Sequence, residues 1–212
     1  MTSGNFIEKG HIMKFRPAIA AATLVAITAA AAAHADDGFY IGGLVGGVSN
    51  PDEDFDAGVD LSVFAGYDFG RIGGAGSLRT ELQFSGRESE PHGPGADNGS
   101  YSEDATFLNV FYDFDMQEDA VWIPYIGLGV GRGRIEYNDY RTGATAMVDG
   151  SDTVWGAQAI LGLGYQLTND LRVFADYRYR DWQDTKLTDA SGARVSIDNA
   201  SSSINLGAAY TF

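Results

Sequence analysis

The sequence predicts an all-β protein, an eight-stranded antiparallel up-and-down transmembrane β-barrel. Three observations predict it. The hydrophobic pattern after residue 36 has a period of two and recurs in eight segments. Short and long connections alternate strictly between these segments, as in barrels with tight turns on one side of a membrane and longer loops on the other. Aromatic residues mark both ends of the segments, where strands leave a bilayer.

The first 35 residues are expected to be an export signal peptide and no part of the fold. Lys14 and Arg16 precede an Ala-rich apolar run over residues 18–33, and residues 33–35 (Ala-His-Ala) form a small-x-small cleavage site. The run is too short and too Ala-rich for a spanning helix, which needs about 20 strongly apolar residues. Translation could also start at Met13.

The expected mature part, residues 36–212, is strongly acidic. It has 11 basic and 28 acidic residues, a net charge of −17. This balance argues against nucleic acid as a partner, because phosphates need a basic surface. Cysteine is absent, which excludes a disulfide framework, a thiolate metal site and a cysteine nucleophile. No further stretch approaches a membrane helix, so any other membrane contact must be made by strands.

The eight segments are placed by their alternation, each with an uncertain boundary. They cover residues 39–48, 58–69, 77–87, 105–114, 121–137, 153–167, 171–182 and 202–212. The short connections are 70–76, 115–120 and 168–170, and the long ones are 49–57, 88–104, 138–152 and 183–201. With both termini on the periplasmic side, every long connection lies on the outer side.

Five segments have one clearly apolar face, which we expect to contact lipid. These faces are Leu78, Thr80, Leu82 and Phe84 in the third segment; Thr106, Leu108, Val110, Tyr112 and Phe114 in the fourth; Trp155, Ala157, Ala159, Leu161, Leu163, Tyr165 and Leu167 in the sixth; Val173, Ala175, Tyr177 and Tyr179 in the seventh; and Ile204, Leu206, Ala208, Tyr210 and Phe212 in the eighth.

The Gly-rich first and fifth segments leave the direction of some side chains open. Leu44, and the run Ile126, Leu128 and Val130, could face either side. We expect Gly127, Gly129, Gly131 and Gly133 to face the lumen, where a narrow barrel has little room for large side chains.

Aromatic residues are expected to form two rings. The periplasmic ring would contain Phe39, Tyr67, Phe69, Tyr112, Phe114, Trp122, Tyr125, Tyr165, Tyr210 and Phe212. The outer ring would contain Tyr101, Tyr137, Trp155, Tyr179 and Trp182. Such rings lie at the headgroup level of a bilayer.

Polar side chains alternate with the apolar ones and are expected to point into the barrel. The expected lumen polar network is Arg79, Glu81, Asn109, Asp113, Arg172, Asp176, Arg178 and Arg180, with Asp60, Asp68 and Arg87 on the same face. Buried charges must be paired or hydrated, and arginine suits bidentate pairing with carboxylates. Because eight strands enclose little more than side-chain volume, we interpret the set as a salt-bridge network that fills the barrel. A conduction path is the alternative.

No catalytic, cofactor or metal site is predicted. His92 is the single histidine of the mature part, so no Ser-His-Asp set can be assembled without it. The acidic loop at residues 52–56 offers oxygens to a calcium ion. It lacks the EF-hand pattern, with Ala57 at the glycine position and Val63 at the glutamate position, so a solvated acidic loop is favoured.

Four stretches resemble the small outer-membrane β-barrel superfamily, which includes the transmembrane domain of OmpA, the OmpX/Ail proteins and the opacity-type surface proteins. They are residues 38–43 (GFYIGG), 65–69 (AGYDF), 124–131 (PYIGLGVG) and 205–212 (NLGAAYTF). The resemblance implies residence in the outer membrane of a Gram-negative bacterium, in contact with lipid and lipopolysaccharide. It also implies that Tyr210 and Phe212 match the terminal signal read by the outer-membrane assembly machinery.

The expected function is a non-enzymatic structural or surface-interaction role, adhesin-like, with loops that contact host or neighbouring-cell surface molecules. The alternative is a narrow porin-like channel or a small-ligand carrier. A lipid A-modifying enzyme of the deacylase kind would resemble proteins that use a histidine and a serine on lipid-facing strands, and residues 194–198 contain no histidine.

A secreted lipocalin is the competing fold, since it is also a closed eight-stranded barrel. Lipocalins turn the apolar face inward, which would place Arg79, Glu81, Arg178 and Arg180 outside. The two aromatic rings favour the membrane barrel.

Overall fold

The computed structural model describes residues 38–49, 58–72, 76–89, 100–114, 121–142, 146–188 and 194–212. The expected export signal lies outside the described residues. The strands are β1 (Phe39–Ser49), β2 (Gly58–Ile72), β3 (Gly76–Ser89), β4 (Ser100–Phe114), β5 (Trp122–Thr142), β6 (Ala146–Gln166), β7 (Leu171–Thr188) and β8 (Arg194–Thr211). Nowhere in these ranges is there a helix of the length and hydrophobicity that a membrane crossing requires.

The eight strands form a closed barrel in chain order. Each strand pairs antiparallel with its sequence neighbours, and β1 closes the barrel by pairing with β8, from Tyr40 opposite Thr211 to Ser49 opposite Ser202. Closure leaves no open sheet edge across the bilayer, where an unpaired backbone group would have no water to bind. The predicted eight-stranded antiparallel barrel is confirmed.

The stagger of the strands fixes the width of the barrel. A path of paired residues that starts at Phe39 and passes once around the wall returns to β1 at Ser49, a stagger of 10 residues. Eight strands with this stagger tilt by about 40° and have a backbone radius of about 8 Å. An extended arginine side chain is nearly as long as that radius, so inward side chains from opposite walls meet.

Alternation along each strand separates an apolar outside from a polar inside. The outward side chains Leu128, Ile204 and Leu206 are 71%, 70% and 65% exposed, whereas Arg178 and Arg180 are fully buried inside. The apolar faces predicted for the third, fourth, sixth, seventh and eighth segments all lie outside, at Leu82, Leu108, Leu163, Tyr177 and Leu206 among others. This arrangement is the reverse of a lipocalin.

The side chains whose direction the sequence leaves open, in the first and fifth segments, point to opposite sides of the wall. Leu44 points inward and is buried against Tyr40 and Phe64. Ile126, Leu128 and Val130 point outward. We call the exposed outward hydrophobic side chains the apolar band; they are Phe39, Val45, Phe69, Leu82, Leu108, Val110, Phe114, Trp122, Ile126, Leu128, Val130, Trp155, Leu161, Leu163, Tyr177, Tyr179, Ile204, Leu206 and Tyr210.

Glycines on β5 and β6 make room for aromatic rings in the lumen. A Cβ at Gly162 would meet the Tyr125 ring, and one at Gly156 would meet the Trp182 ring. Gly131 faces inward as predicted, and a Cβ there would meet Phe107. At these positions the wall has no side chain of its own, because a large side chain of a neighbouring or facing strand occupies the space.

Two predicted outer loops are mostly strand. Pairing of β5 with β6 continues to Thr142 opposite Ala146, and pairing of β7 with β8 continues to Thr188 opposite Arg194. Segment boundaries at residues 137, 153, 182 and 202 were therefore wrong. The hydrophobic alternation stops at these boundaries because the strand extensions lie beyond the apolar band. The backbone hydrogen bonds between the strands continue, since they do not depend on which face is apolar.

Candidate functional site

The eight residues predicted for the lumen network come from three strands and lie on the inner surface of the barrel. Their positions follow from the period of two, which turns every second side chain of β3, β4 and β7 inward. Seven are buried, namely Arg79, Glu81, Asn109, Asp113, Asp176, Arg178 and Arg180, and Arg172 is half-buried at the periplasmic start of β7. They fall into three clusters along the barrel axis.

The periplasmic cluster is built around the carboxylate of Asp113. Arg79 donates two hydrogen bonds to it, at 2.8 and 2.9 Å, and Arg172 donates a third from the opposite wall, at 2.6 Å. The Arg79 guanidinium also lies 4.7 Å from the centre of the Phe111 ring and donates to the Tyr40 hydroxyl at 3.1 Å. One carboxylate therefore ties β3, β4 and β7 together across the lumen.

The central cluster is built around the amide of Gln83. Its oxygen accepts hydrogen bonds from Arg178 at 2.8 Å and from Asn109 and Gln158 at 3.0 Å each. Its nitrogen donates to the hydroxyl of Ser62 at 3.0 Å. A single fully buried side chain thus bridges β2, β3, β4, β6 and β7.

Asp176 anchors the other side of the central cluster. Arg178 donates to both of its oxygens, at 3.0 and 2.8 Å. Tyr125 and Asn205 donate the remaining two bonds, at 3.1 and 2.8 Å. The carboxylate is therefore fully supplied with donors, which is the condition for burying a charge without a large penalty.

The outer cluster contains two further buried carboxylates. Arg87 donates to Asp60 at 2.8 Å. Glu103 accepts from Arg180 and, at 3.0 Å, from the indole of Trp182. Arg180 also lies 4.4 Å from the centre of the Phe107 ring. Aromatic faces stabilise the guanidinium where water is excluded.

Charges within the three clusters balance. Five arginines (Arg79, Arg87, Arg172, Arg178 and Arg180) face five carboxylates (Asp60, Glu81, Glu103, Asp113 and Asp176). Glu81 has the longest contacts, with Tyr40 and Asn109 each at 3.4 Å. It lines a cavity of about 20 Å³, together with Arg172, whose Nη2 has no hydrogen-bond partner. A cavity of this size has room for one water molecule and no more.

The arrangement can fill and stiffen the barrel, and it offers no open path along the axis at the level of the central cluster. Gln83, Asn109 and Arg178 there are at most 1% exposed. Within the part of the chain that the structure describes, no group of three or more histidine, aspartate or glutamate side chains could hold a metal ion. His92 and the acidic loop at residues 52–56 lie outside that part.

Two aromatic residues assigned to the rings are inside the barrel. Trp182 is 3% exposed and Tyr125 is 2% exposed. The period of two gives the reason: Trp182 shares its face with Arg180, and Tyr125 shares its face with Gly127. The outer-ring residues Trp155 and Tyr179 do face outward, as do Phe39, Trp122 and Tyr210 of the periplasmic ring. The side chains of Tyr101 and Tyr137 lie outside the described part.

Sequence reasoning missed two central contributors. Gln83 alternates with Leu82 and Phe84 and so falls on the inward face, but the predicted network does not include it. Glu103 falls in the predicted connection 88–104, because the hydrophobic alternation predicts that the fourth segment begins at residue 105. Asn109 and Phe107 point inward, and counting back from them two residues at a time reaches Ala105 and then Glu103. The same alternation therefore predicts that Glu103 points inward.

A closed strand wall with an apolar outer belt and a charged, hydrogen-bonded interior defines the class of outer-membrane β-barrel proteins. Comparison with known protein families gives the same class of protein. The chain belongs to the outer membrane protein β-barrel domain family, which it matches over residues 18–212. It follows that the chain is a member of a family of outer-membrane proteins of Gram-negative bacteria.

Solved structures show the same fold at low sequence identity. Neisserial surface protein A (NspA) is 19% identical, with a TM-score of 0.59 over 82% of this chain and 97% of that one. The β domain of the Bordetella autotransporter BrkA is 13% identical, with a TM-score of 0.51 over 84% and 100%. OprG of Pseudomonas aeruginosa is 16% identical, with a TM-score of 0.50 over 83% and 96%. No curated protein sequence matches the chain.

Proposed function

We propose that this protein is a non-conducting, non-enzymatic outer-membrane barrel that acts in structure and surface interaction. Its outer end would contact surface molecules of a host or a neighbouring cell. The observation that carries the proposal is the projection of two paired hairpins beyond the apolar band, above a lumen that is packed shut.

Of these two hairpins, the β5–β6 hairpin projects further beyond the apolar band. Arg132 and Trp155 are paired at the outer edge of the apolar band, and pairing continues to Thr142 opposite Ala146. Ten residues of strand extend about 33 Å, or about 25 Å in height at a 40° tilt. Because the pairing continues from the wall, with one register shift between Tyr137 and Tyr140, the projection is a paired extension of the barrel and not a free loop.

The projecting hairpins also have free backbone edges. β6 pairs with β7 only from Gly156 opposite Trp182 to Gln166 opposite Arg172. Residues 146–155 of β6 therefore pair with β5 but, among the described residues, have no strand partner on the β7 side. A free strand edge can accept an extended segment of another polypeptide through backbone hydrogen bonds, which supports a protein as the partner.

The lumen argues against the channel and carrier alternative. Gln83, Arg178 and Asp176 close the central level with direct hydrogen bonds, and the cavity beneath them has room for one water molecule. Planar-bilayer recordings of the reconstituted barrel should show no conductance steps. Regular single-channel steps that persist at high protein purity would favour the alternative.

The proposal includes export by the N-terminal signal at residues 1–35 and insertion by the outer-membrane assembly machinery. The last strand supports the second part. Tyr210 is exposed on the lipid face, its ring centre lies 5.4 Å from that of Phe212, and the Phe212 amide donates to the Phe39 carbonyl at 3.0 Å. Both residues lie in the β1–β8 seam that closes the barrel, and we propose that the assembly machinery binds them before this seam forms.

Truncation of the hairpin tests the surface role. Tyr137 and Gly150 are opposite each other, so replacing residues 138–149 by an Asn-Gly turn keeps the register of the remaining hairpin. We expect bacteria that display the truncated barrel to lose attachment to host matrix proteins or to other cells. A matched truncation of the β7–β8 hairpin, between Thr185 and Ile197, shows which hairpin carries the contact.

As a control, we test whether the two truncated proteins still assemble into folded barrels. Both truncated proteins should still show the shift between heated and unheated samples on a detergent gel, because the wall below the apolar edge is unchanged. Full attachment by both truncated barrels, with normal surface levels, would contradict the proposal.

A further inference from the structure

The small cavity in the lumen lies between the periplasmic and central clusters. Glu81 lines it from β3, where it stands between Arg79 and Gln83 on the inward face. Arg172 lines it from the periplasmic start of β7, on the opposite wall. Ala209 of β8 lies directly opposite Arg172 and closes the cavity on that side. Charged groups from two walls of the barrel therefore face one enclosed space.

Glu81 has few hydrogen-bond donors compared with the carboxylates on either side of it. Asp113 accepts three hydrogen bonds at 2.6–2.9 Å, and Asp176 accepts four at 2.8–3.1 Å. Glu81 accepts from Tyr40 and Asn109 only at 3.4 Å each, although it is 4% exposed. A carboxylate offers about four acceptor positions, so the Glu81 oxygens have acceptor capacity left over.

Arg172 has the complementary shortage. Its Nη1 donates to Asp113 at 2.6 Å, and its guanidinium lies 5.2 Å from the centre of the Tyr125 ring. Its Nη2 is buried and has no hydrogen-bond partner among the described residues. Leaving a buried donor of a charged group without an acceptor is costly. One cavity thus contains a donor that needs an acceptor and an acceptor that needs donors.

The cavity has the size and the lining that a single water molecule requires. Its volume is about 20 Å³, and one water needs at least about 10–15 Å³ with two to four polar partners. A water molecule both donates and accepts, so it can satisfy Glu81 and Arg172 together. A bound anion would be repelled by Glu81, and a bound cation would be repelled by Arg172.

We propose that this cavity is a binding site for one water molecule, which accepts a hydrogen bond from Nη2 of Arg172 and donates to the carboxylate of Glu81. The water links β3 to β7 across the lumen and connects the periplasmic cluster to the central cluster. The inference goes beyond the proposed function, because it concerns the interior of the barrel and not the outer hairpins.

A high-resolution crystal structure of the wild-type barrel tests the site without any substitution. We expect one density peak within hydrogen-bond distance of both Arg172 Nη2 and a Glu81 carboxylate oxygen. Absence of such a peak, or a direct ion pair between Arg172 and Glu81, would overturn the proposal. An anomalous peak at this position in crystals grown with bromide would also overturn it, because the ligand would then be an anion.

Filling the cavity gives a second test, in which a dry and a water-filled cavity predict changes of opposite sign. Ala209→Val adds apolar volume beside Arg172. In a dry cavity this would stabilise the barrel. Displacing the water would instead leave Arg172 and Glu81 without their shared partner, and we expect the equilibrium constant for folding to fall by about tenfold. Stabilisation of the wild-type barrel by Ala209→Val would contradict the proposal.

The matched control is Ala209→Val in a barrel that carries Glu81→Leu and Arg172→Leu together. This pair of changes removes one charge of each sign, and Asp113 keeps both hydrogen bonds from Arg79. In that background Ala209→Val should be neutral or stabilising. An equal loss in both backgrounds would show that the cost is steric and would overturn the proposal.

The heat-dependent gel shift checks that each variant folds, and the wild-type crystal structure decides the question if a variant does not. The outcome is also separable from the proposed function. If the wild-type crystal structure shows no water between Glu81 and Arg172 while the hairpin truncation abolishes attachment, the water site fails and the surface role stands.

Discussion

Replacing Gln83 by leucine should be among the most damaging single changes inside the barrel, although it removes no charge. Leucine has nearly the volume of glutamine but neither an acceptor nor a donor. It would leave the Arg178 Nη1 donor, now 2.8 Å from the Gln83 oxygen, facing an apolar side chain. It would also remove the acceptor of Asn109 and the donor to Ser62.

The expected cost follows from counting the groups left without a partner. A hydrogen bond to a charged group contributes about 1.5–3 kcal/mol, and each neutral buried donor left unpaired costs about 1–3 kcal/mol. Gln158 keeps its bond to Asn109 at 2.7 Å, and Asn109 keeps a long contact to Glu81, so neither is fully orphaned. We therefore expect Gln83→Leu to lower the free energy of unfolding by about 3–5 kcal/mol. Because leucine fills the space, water cannot replace the lost partners.

The assay is denaturant unfolding of the barrel in lipid vesicles, followed by tryptophan fluorescence. Gln166→Leu is the matched control: the same substitution near the solvated β6–β7 turn, where Gln166 donates to the carbonyl oxygens of Thr168 and Asn169 at 2.8 and 3.2 Å. Those carbonyls can bind water instead, so its cost should stay below about 1 kcal/mol. If Gln83→Leu costs no more than Gln166→Leu, the central cluster does not hold the barrel and the reasoning is refuted.

Three further changes probe other parts of the fold. Glu103→Gln removes the carboxylate that faces the fully buried Arg180 and should cost about 3–5 kcal/mol in the same unfolding assay; a loss under about 1 kcal/mol would show that the charge is solvated. Gly162→Val drives a side chain into the Tyr125 ring, so the folded, heat-sensitive band on a detergent gel should be lost, whereas normal yield would mean that the lumen is loose. Deletion of Phe212 should slow insertion in cells and leave refolding from urea into detergent unchanged; equal slowing of both would assign this residue to stability and not to assembly.

The sequence was sufficient for the architecture because a strand wall between lipid and a packed lumen imposes alternation at every position. Leu82 beside Glu81, and Leu108 beside Asn109, show which face is which with no knowledge of the partner strand. The same alternation fails where both faces meet water. That is why the sequence predicts a loop at residues 138–142 of β5 and 146–152 of β6, although the two backbones pair as far as Thr142 opposite Ala146.

The partners inside the lumen could not be predicted, because they depend on the stagger of strands far apart in sequence. Parity placed Asp113 and Arg172 inside, but only the closed register brings them within 2.6 Å from opposite walls. The same holds for Gln83, whose importance comes from meeting four other strands and not from its chemistry. Trp182 is a different case, since parity alone would have assigned it inward and a preference for interfacial tryptophan overrode the pattern.

The placement of the barrel in a membrane requires that lipid hydrocarbon surrounds the outward apolar side chains. Spin labels at Leu82, Leu108 and Leu163, which are 44%, 56% and 41% exposed, test this in a barrel reconstituted into bilayers. We predict frequent collisions with oxygen and rare collisions with a water-soluble nickel chelate at all three positions. Labels that are shielded from oxygen, or that collide freely with the chelate, would contradict the placement of this face in lipid.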